Sequence, residues 1–356
     1  MSVVYKKLED VCEILDSRRV PITAKDRKAG TYPYYGANGL QDYVADYIFD
    51  DELVLLAEDG GNFGSKERPI AYRVSGKCWV NNHAHVLKAK PNMHVDYLCY
   101  ALMFYDTEGL VNGATRQKLT QAAMRQMVIP YRDMTEQLQI IKKISQIVRS
   151  IEKRKEELQL LDQLVKSRFI DLFGDPMTDV SKWSTSTIGE QFNVTSGGTP
   201  ATGEKAYWEN GTIPWIGSNM CQDTILSEND GKFITEEGYT HSSAKWFHKG
   251  TVLVALVGAT IGKTALLRFD TTTNQNIAAI DVNDNAAFSS EFVFYHMQML
   301  YSKFMEIGSG KFKMANQGFI RQLPLICPPI ELQEQFAAFV EQTDKSKLCG
   351  KMEVAA

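Results

Sequence analysis

The feature that most constrains this chain is an internal duplication. Residues 53–64 (LVLLAEDGGNFG) align with residues 251–262 (TVLVALVGATIG) at a shift of 198 positions, with five identical residues. The same shift aligns the proline and the Glu-Gln dipeptide of residues 130–137 with those of residues 328–335. Between these blocks, residues 121–126 align with residues 317–322 at a shift of 196. Three blocks in the same order predict two copies of one module.

Each copy follows the same plan. Short runs rich in Val, Ile, Tyr and Trp, separated by Gly, Asn and Pro, predict β-strands. An amphipathic helix is predicted next, over residues 95–105 in the first copy and 291–302 in the second. A basic hairpin region and a proline-marked entry into a long helix complete the copy. This order predicts an α+β fold, present twice.

A long helix is predicted between the copies. From Thr135 to Phe173 the chain contains neither Pro nor Gly, and apolar residues recur every seven positions. These residues are Ile144, Ile151, Leu158, Val165 and Leu172. Such a heptad pattern predicts a coiled-coil helix, here about 58 Å long.

A second helix is predicted after Pro329, antiparallel to the first. Leu332, Phe336 and Phe339 lie on its apolar side. Its heptad pattern ends at Ser346, so this helix is predicted to be much shorter than the first.

The arrangement resembles the specificity subunit of type I restriction–modification systems. The motifs that carry the resemblance are the Pro-x-x-x-x-x-Glu-Gln helix entries at 130–137 and 328–335 and the helix exit Phe169-Ile-Asp-Leu-Phe-Gly174. In the second copy they are Gly197-Gly-Thr-Pro200, Tyr207-Trp208, Ile213-Pro-Trp215, Ile234-Thr-Glu236 and Val257-Gly-Ala-Thr-Ile-Gly-Lys263. The resemblance extends to about residue 345.

The resemblance implies an α+β fold with two tandem, similar target-recognition domains, related by a pseudo-two-fold axis and separated by long antiparallel coiled-coil helices. The expected parts are a first recognition domain (1–134), a central spacer helix (135–173), a second recognition domain (174–329) and a shortened second helix with a tail (330–356). A stiff spacer suits this role, because DNA half-sites one turn apart are about 34–36 Å from each other.

The resemblance also implies a non-catalytic subunit. In the family, the two domains recognise a bipartite double-stranded DNA target, and the helices dock two methyltransferase subunits. Restriction and translocase subunits join the full complex. Two alternatives stay open, namely a degenerate or phase-variable specificity subunit and a DNA-modifying enzyme that uses the same recognition modules.

The charge pattern gives the first candidates for DNA contacts. A net charge of −4 and a pI near 5.9 argue against a stand-alone basic DNA-binding protein, whose pI is usually above about 9. Even so, residues 109–132 and 307–330 each form a basic window without an acidic residue. Their candidates are Arg116, Gln117, Lys118, Gln121 and Arg125 in the first window and Lys311, Lys313, Asn316, Gln317 and Arg321 in the second.

Other candidates lie in turns and loops. The turn at residues 60–66 offers Asn62, Ser65 and Lys66, and the equivalent turn at residues 258–264 offers Thr260, Lys263 and Thr264. Asn38 and Asn219 lie in loops that contain aromatic residues. Each of these polar residues has an alternative role in forming the turn itself.

Three patterns that suggest chemistry are incomplete. Residues 258–264 (GATIGKT) have three residues between the glycines, whereas a phosphate-binding loop needs four. His83 and His85 are predicted to be strand residues, because the aligned residues 274–278 contain no histidine. Residues 327–330 (CPPI) lack the Asn and the aromatic residue of a methyltransferase loop. We therefore expect no metal, no cofactor and no catalytic residues.

The expected localisation is cytoplasmic. The six cysteines form no C-x-x-C pair, which is typical of reduced thiols. The N-terminus has no signal-peptide pattern, and no apolar run approaches the ~18 residues of a membrane span. We therefore expect no membrane contact.

Overall fold

The chain runs through one succession of short strands and helices twice, and each succession ends in a long helix. The structure, a computed structural model, describes residues 3–113, 116–179, 182–307 and 314–355, with side chains as far as Lys347. It divides into two compact units, Met1–Glu152 (unit 1) and Lys153–Ala356 (unit 2).

Unit 1 is built on a six-stranded sheet with the strand order β2-β7-β5-β6-β3-β4. Two-stranded sheets, β1-β10 and β8-β9, lie outside it. The strands are β1 (Val4–Lys7), β2 (Cys12–Ile14), β3 (Ala29–Gly36), β4 (Gly39–Val44), β5 (Phe49–Ala57), β6 (Ala71–Val80), β7 (Ala84–Ala89), β8 (Val111–Asn112), β9 (Lys118–Leu119) and β10 (Val128–Tyr131). The helices are α1 (Leu8–Val11), α2 (Val95–Met103), α3 (Gln121–Gln126) and the first part of α4 (Met134–Phe173).

Unit 2 has a five-stranded sheet (β12-β20-β17-β18-β14), a four-stranded sheet (β15-β13-β19-β16) and the pair β11-β21. The strands are β11 (Ser184–Thr187), β12 (Asn193–Ser196), β13 (Ile213–Ile216), β14 (Thr224–Leu226), β15 (Phe233–Ile234), β16 (Trp246–Phe247), β17 (Val252–Ala255), β18 (Thr264–Leu267), β19 (Thr271–Thr273), β20 (Ile277–Asp281) and β21 (Pro324–Cys327). The helices after α4 are α5 (Ile188–Gln191), α6 (Glu236–Thr240), α7 (Ser290–Met299), α8 (Tyr301–Met305), α9 (Gln317–Gln322) and α10 (Ile330–Ala355).

The strand pairings of the two units confirm the duplication. In unit 1, β5 pairs antiparallel with both β6 and β7, and in unit 2 β17 pairs antiparallel with both β18 and β20. The first and last strands of each unit, β1 with β10 and β11 with β21, also pair antiparallel. Each unit further contains one parallel pairing with an aromatic residue in it, Tyr34 with Trp79 in unit 1 and Trp215 with Thr272 in unit 2.

The central strand of each unit separates two apolar layers, because successive side chains of a strand point to opposite faces. In unit 1, Val54 and Leu56 pack in the layer that contains helices α1, α2 and α3, whereas Leu53 and Leu55 pack on the other face. Residues 252–255 of unit 2 alternate in the same way. The predicted runs of Val, Leu and Ala are thus central strands buried on both faces.

A buried glutamine fixes the start of each long helix. The Gln137 amide nitrogen donates to the carbonyls of Asn92 and Arg132, at 3.0 and 2.8 Å, and its oxygen accepts the His94 N–H at 2.8 Å. Gln333 repeats all three bonds, with the carbonyls of Ala287 and Pro328 and the N–H of Ser289. Each glutamine therefore ties a long helix to the N-terminus of α2 or α7. In the first copy this is the glutamine of the Glu-Gln dipeptide, whereas in the second copy it is Gln333, two residues before the glutamine of the dipeptide, so the joints correspond at a shift of 196 and the alignment of the two dipeptides at a shift of 198 is corrected.

Helix α4 matches the predicted spacer helix and begins one residue earlier, at Met134. Within unit 2 its last turns pack antiparallel to α10. The centroids of the Phe169 and Phe336 rings lie 5.4 Å apart. Asp162, which precedes Phe169 in α4, forms a 2.8 Å ion pair with Lys347, which follows Phe336 in α10.

The heptad residues of these helices are buried to different degrees. Val165 and Phe336 are fully buried, whereas the others are half-buried. The half-buried ones are Ile144, Ile151, Leu158, Leu172, Leu332 and Phe339. The backbone of α10 stays helical to Ala355, beyond the point where its heptad pattern ends. In the part of the chain that the structure describes, no helix is both long enough and apolar enough to span a bilayer.

Candidate nucleic-acid interface

The structure brings several predicted residues of unit 1 to the segment that follows β5, residues 58–60. The Asn38 side chain donates to the Gly60 carbonyl at 3.0 Å, and the Gly60 N–H donates to the Gln117 carbonyl at 3.1 Å. These bonds hold the loop after β3 and the β8-β9 hairpin against the same turn. Asn38, Arg116, Gln117, Lys118 and Gln121 therefore belong to one surface.

The basic side chains of this surface are paired with acids. Arg116 Nε lies 2.6 Å from Asp59 Oδ1, and Lys118 Nζ lies 3.3 Å from Glu58 Oε1. Both basic side chains are at least half exposed, 59% for Arg116 and 50% for Lys118. The acids are less exposed than the cations, so Arg116 and Lys118 remain accessible to a phosphate while each is already paired with a carboxylate.

A buried ion network, consisting of Asp16, Arg19, Glu58 and His85, lies behind this surface. The His85 ring is fully buried, with Nδ1 2.6 Å from Asp16 Oδ2 and Nε2 2.9 Å from the Leu119 carbonyl. Because a carbonyl oxygen only accepts, Nε2 carries a proton. Arg19 Nη1 donates to Glu58 Oε2 at 2.7 Å. The network thus ties strand β7 to strand β9 of the basic hairpin.

Asp16 is the acceptor at the centre of this network. Its carboxylate also accepts the Val86 N–H at 2.9 Å and the Gln121 side-chain amide at 3.0 Å. Burial by itself raises the pKa of Asp16, but the hydrogen bonds from His85, Val86 and Gln121 outweigh burial and hold the pKa below its ordinary value. Asp16 therefore stays charged and fixes Gln121 in position.

The same residues have the composition of a metal site, since ligand atoms of Asp16, Glu58 and His85 lie within 4.8 Å of one another. The cationic position, however, is taken by Arg19, whose guanidinium lies 3.5 Å from Asp16 and 2.7 Å from Glu58. Both ring nitrogens of His85 are already in hydrogen bonds. The guanidinium of Arg19 therefore lies where a metal ion would bind these carboxylates.

The predicted turn at residues 60–66 is organised by Ser65. Its hydroxyl accepts the N–H groups of Glu67 and Arg68, at 3.2 and 2.9 Å, and its own N–H donates to the Asn62 carbonyl. Ser65 therefore shapes the turn, and the neighbouring Lys66 is exposed. No ion pair joins Lys66 to any other residue that the structure describes. Arg125, the last candidate of unit 1, is 3.3 Å from Glu9.

In unit 2, Asp223 organises the turn at residues 258–264. Its carboxylate lies 2.5 Å from Lys263 Nζ and accepts the Thr264 N–H and hydroxyl at 3.0 and 3.2 Å. The Thr264 side chain is completely buried by this arrangement. Our prediction of Thr264 as a DNA contact is therefore corrected, because its hydroxyl is consumed within the protein.

The other residues of this turn remain accessible. The Thr260 hydroxyl donates to the Ser218 carbonyl at 3.1 Å, which places the turn beside the loop that carries the exposed Asn219. Lys263 is one-third exposed, and its ammonium also lies 4.8 Å from the centroid of the Tyr301 ring. Asn219, Thr260 and Lys263 thus form one surface in unit 2.

The second basic window contains helix α9. Asn316 caps this helix by accepting the Phe319 N–H at 2.8 Å, and Gln317 accepts from Arg321 at 3.2 Å. Arg321 also donates to the Val194 carbonyl, which fixes α9 to strand β12. Lys311 and Lys313 lie outside the described residues.

Sequence reasoning missed a cleft in unit 2, with a volume of about 460 Å³ and a lining of both apolar and polar side chains. Its polar lining combines the predicted Asn316 and Gln317 with residues that were not predicted. The unpredicted polar side chains are Ser196, Ser243, Lys245, Gln275 and Asn276. The signal available in the sequence was the amide run at residues 274–276, which stands where unit 1 has two Asn residues and a His.

Comparisons with known proteins agree with this architecture. The family described as type I restriction modification DNA specificity domain matches the chain twice, over residues 2–161 and 180–350. A protein of Haemophilus influenzae named as a type I restriction enzyme specificity subunit is 37% identical over 140 residues, which is 39% of this chain and 36% of that protein. The EcoR124I/EcoR124II specificity subunit of Escherichia coli is 26% identical over 245 residues, 67% of this chain and 57% of that subunit. The matched parts thus span less than two thirds of either relative.

Solved structures show the same fold. The S subunit of a type I restriction–modification system from M. genitalium superimposes with a TM-score of 0.57 at 15% identity, over 100% of this chain and 92% of that one. A chain from a study of the assembly and conformational transition of the type I system gives 0.55 at 15% identity, over 100% of this chain and 94% of that one. Since the family match covers most of the chain in two copies, the chain belongs to the type I restriction–modification DNA specificity family.

Proposed function

We propose that this chain is the DNA-recognition subunit of a type I restriction–modification complex and that each unit reads one half of a split target. The observation that carries the proposal is the double family match, together with the repeated strand topology of the two units. Two similar readers in one chain fit a target with two separate specified parts.

The proposed division of the chain follows its elements. Residues 1–134 and 174–329 form the two recognition domains, residues 135–173 the spacer helix, and residues 330–356 the second helix and tail. The helices are the proposed docking site for two methyltransferase subunits. In support, Ile147, Leu160 and Leu164 of α4 are about half exposed, at 59%, 54% and 49%, which leaves apolar surface for a partner helix.

The proposed DNA surfaces are those described above. In unit 1 they consist of Asn38, Asn62, Ser65, Lys66, Arg116, Gln117, Lys118, Gln121 and Arg125. In unit 2 they consist of Asn219, Thr260, Lys263, Asn316, Gln317 and Arg321, to which the sequence adds Lys311 and Lys313. Several of these cations are paired with acids, so the isolated chain should bind DNA weakly and its affinity should fall steeply with salt.

We also infer that the chain itself performs no chemistry and that other subunits transfer the methyl group and cut DNA. The family is named for DNA specificity, which supports a role in recognition. Its place in the complex is therefore to select the sequence on which methyltransferase and restriction subunits act.

A methylation assay tests the proposal. The chain is co-expressed with the methyltransferase subunits of a type I restriction–modification system from the same genome, and the purified complex is given a library of random duplexes and a methyl donor. The methylated duplexes should share one split sequence, and the methyltransferase without the chain should select none. Methylation by the chain alone, or an unchanged selection without it, would contradict the proposal.

A further inference from the structure

The cleft of unit 2 occupies the same position in the fold as the buried ion network of unit 1. The shift of 198 that aligns β5 with β17 places Leu256 where unit 1 has Glu58. The Leu119 N–H donates to the Glu58 carbonyl at 2.8 Å, and the Ala315 N–H donates to the Leu256 carbonyl at 2.9 Å. The hairpin segments before α3 and α9 are therefore attached to their units in the same way.

The strand registers extend this correspondence. In unit 1, β2 pairs Ile14 with Leu87, and in unit 2, β12 pairs Val194 with Ile280. Asp16 lies two residues after Ile14, and Ser196 lies two residues after Val194. In the same registers His85 corresponds to Ala278 and Arg19 to Thr199. Unit 2 thus lacks every charged side chain of the network, and its cleft lies where they would be.

The cleft presents mainly hydrogen-bond donors. The side-chain oxygen of Gln317 accepts a hydrogen bond from the Arg321 guanidinium. The side-chain oxygen of Asn316 accepts the N–H of Phe319. The Gln275 oxygen accepts the Thr199 hydroxyl at 2.5 Å. The amide nitrogens of all three residues are therefore left to donate to another molecule. Lys245 adds an exposed ammonium that is in no ion pair with the described residues.

One wall of the cleft is closely packed at its two glycines. Gly197 lies against the Thr273 backbone so closely that a Cβ on it would be 2.1 Å from the Thr273 oxygen, and Gly198 packs similarly on Ser243. The Ser196 hydroxyl, which lies in the wall, has no hydrogen-bond partner in the described part of the chain. A cleft with apolar walls, an unpartnered hydroxyl and several free donors is suited to binding a molecule that offers acceptors.

We propose that this cleft receives the acceptor atoms of the DNA half-site read by unit 2, and that Lys245 and Gln275 are contact residues for it. This inference rests on the proposed function. Two parts of DNA offer such acceptors, namely the major-groove edge of guanine, through N7 and O6, and the phosphate oxygens. The amides suit a base edge, and the lysine suits either source.

The test uses the complete complex of the chain with its methyltransferase subunits and a duplex carrying its methylation target. Affinity is measured for wild type, Gln275→Ala and Lys245→Ala, on the target, on duplexes with single base changes and on unrelated DNA, at several salt concentrations. Lys249→Ala, an exposed lysine outside the cleft, is the matched control.

If Gln275 reads a base, Gln275→Ala should weaken target binding by roughly 10-fold or more, remove discrimination at one base pair of one half-site, and leave unrelated DNA unaffected. If a cleft residue holds a phosphate, its variant should weaken all duplexes alike and reduce the salt slope by about 1. Either result supports the cleft as a DNA contact and identifies the source of the acceptors.

Binding by both cleft variants that equals the Lys249→Ala control on every duplex would overturn the inference. That result differs from failure of the proposed function, in which the wild-type complex itself would prefer no split sequence. Circular dichroism of each variant checks that the exposed substitutions leave the fold intact.

Discussion

At one position in the fold, unit 1 holds the four charged or titratable residues of its buried ion network and unit 2 holds Ser196, Thr199, Leu256 and Ala278. The backbone hydrogen bonds around this position are the same in both units. Unit 2 forms the corresponding strands and apolar layers without any of these charged side chains. One scaffold can therefore present different chemistry in the two units.

The largest expected effect comes from breaking the network itself. Asp16→Asn should lower the free energy of unfolding of unit 1 by about 3–5 kcal/mol, because it leaves His85 and Arg19 buried with one carboxylate fewer. Ser196→Ala, at the corresponding place in unit 2, should change stability by less than about 0.5 kcal/mol, since its hydroxyl has no partner among the described residues. Urea unfolding with hydrogen exchange at the Val86 and Leu119 amides measures the difference, and equal effects would refute it.

The two units also differ in how their stability responds to acid. His296 is fully buried in α7, with Nε2 2.9 Å from the Pro324 carbonyl, and burial lowers its pKa from 6.5 to about 4. Unfolded chains therefore bind a proton in this range that the folded unit 2 does not. Stability from this residue is complete above pH 6.5 and falls as the pH drops toward 4, by about 3 kcal/mol in total. Ala101 occupies the corresponding position in α2 and does not titrate.

Hydrogen exchange in β20 and α7, measured between pH 7 and pH 4, reports the free energy of unfolding of unit 2. His296→Gln should flatten the pH dependence of unit 2 in this range. The stability that Asp16 contributes to unit 1 should fall only below the ordinary Asp value of 3.8, where the unfolded chain takes up a proton before the folded Asp16 does. A pH dependence of unit 2 that His296→Gln leaves unchanged would contradict the assignment.

The helix joints should behave alike in both units. Gln137→Ala and Gln333→Ala each remove the side-chain partner of one backbone N–H and two carbonyls, so each should cost about 1–3 kcal/mol. Gln335→Ala, an exposed glutamine in the same helix as Gln333, is the control and should be near neutral. Thermal unfolding compares the three variants. A cost confined to one unit would mean that the joints are not equivalent.

The smallest expected effect is a difference in the salt dependence of DNA binding between variants of an unpaired and a paired lysine of unit 1. In the methyltransferase complex, Lys66→Ala should reduce the dependence of log affinity on log salt by about 1. Lys118→Ala should reduce it by less, because Lys118 already has Glu58 as a counter-ion at 3.3 Å. Equal slopes for the two variants would show that the ion pair is irrelevant to DNA binding.

The architecture was predictable where it depends on periodicity and repetition. The duplicated blocks and the heptads of α4 each leave a local trace, and the helix begins within one residue of its predicted start. The Glu-Gln dipeptide marks the joint of the first copy, whereas the joint of the second copy is Gln333, just before its dipeptide. The candidate site was less predictable. His83 and His85 were predicted only as strand residues, and nothing local indicated that His85 would meet Asp16, 69 positions away.

The same reason explains the cleft and the Thr264 correction. Asp223 reaches Thr264 across 41 positions, and the cleft combines residues from 196 to 317. Such contacts depend on which strands pair and in what register, and one sequence does not record this. Residue type indicated which side chains can bind DNA, whereas the pairing of Arg116 and Lys118 with acids appears only in three dimensions.

Methylome sequencing of cells with and without the gene shows whether the two units read two halves of one target. With the methyltransferase expressed, we expect one methylation motif of two specified parts separated by unspecified bases, and its complete loss on deletion. A continuous motif, or one that persists without the gene, would contradict the proposed role of the two units.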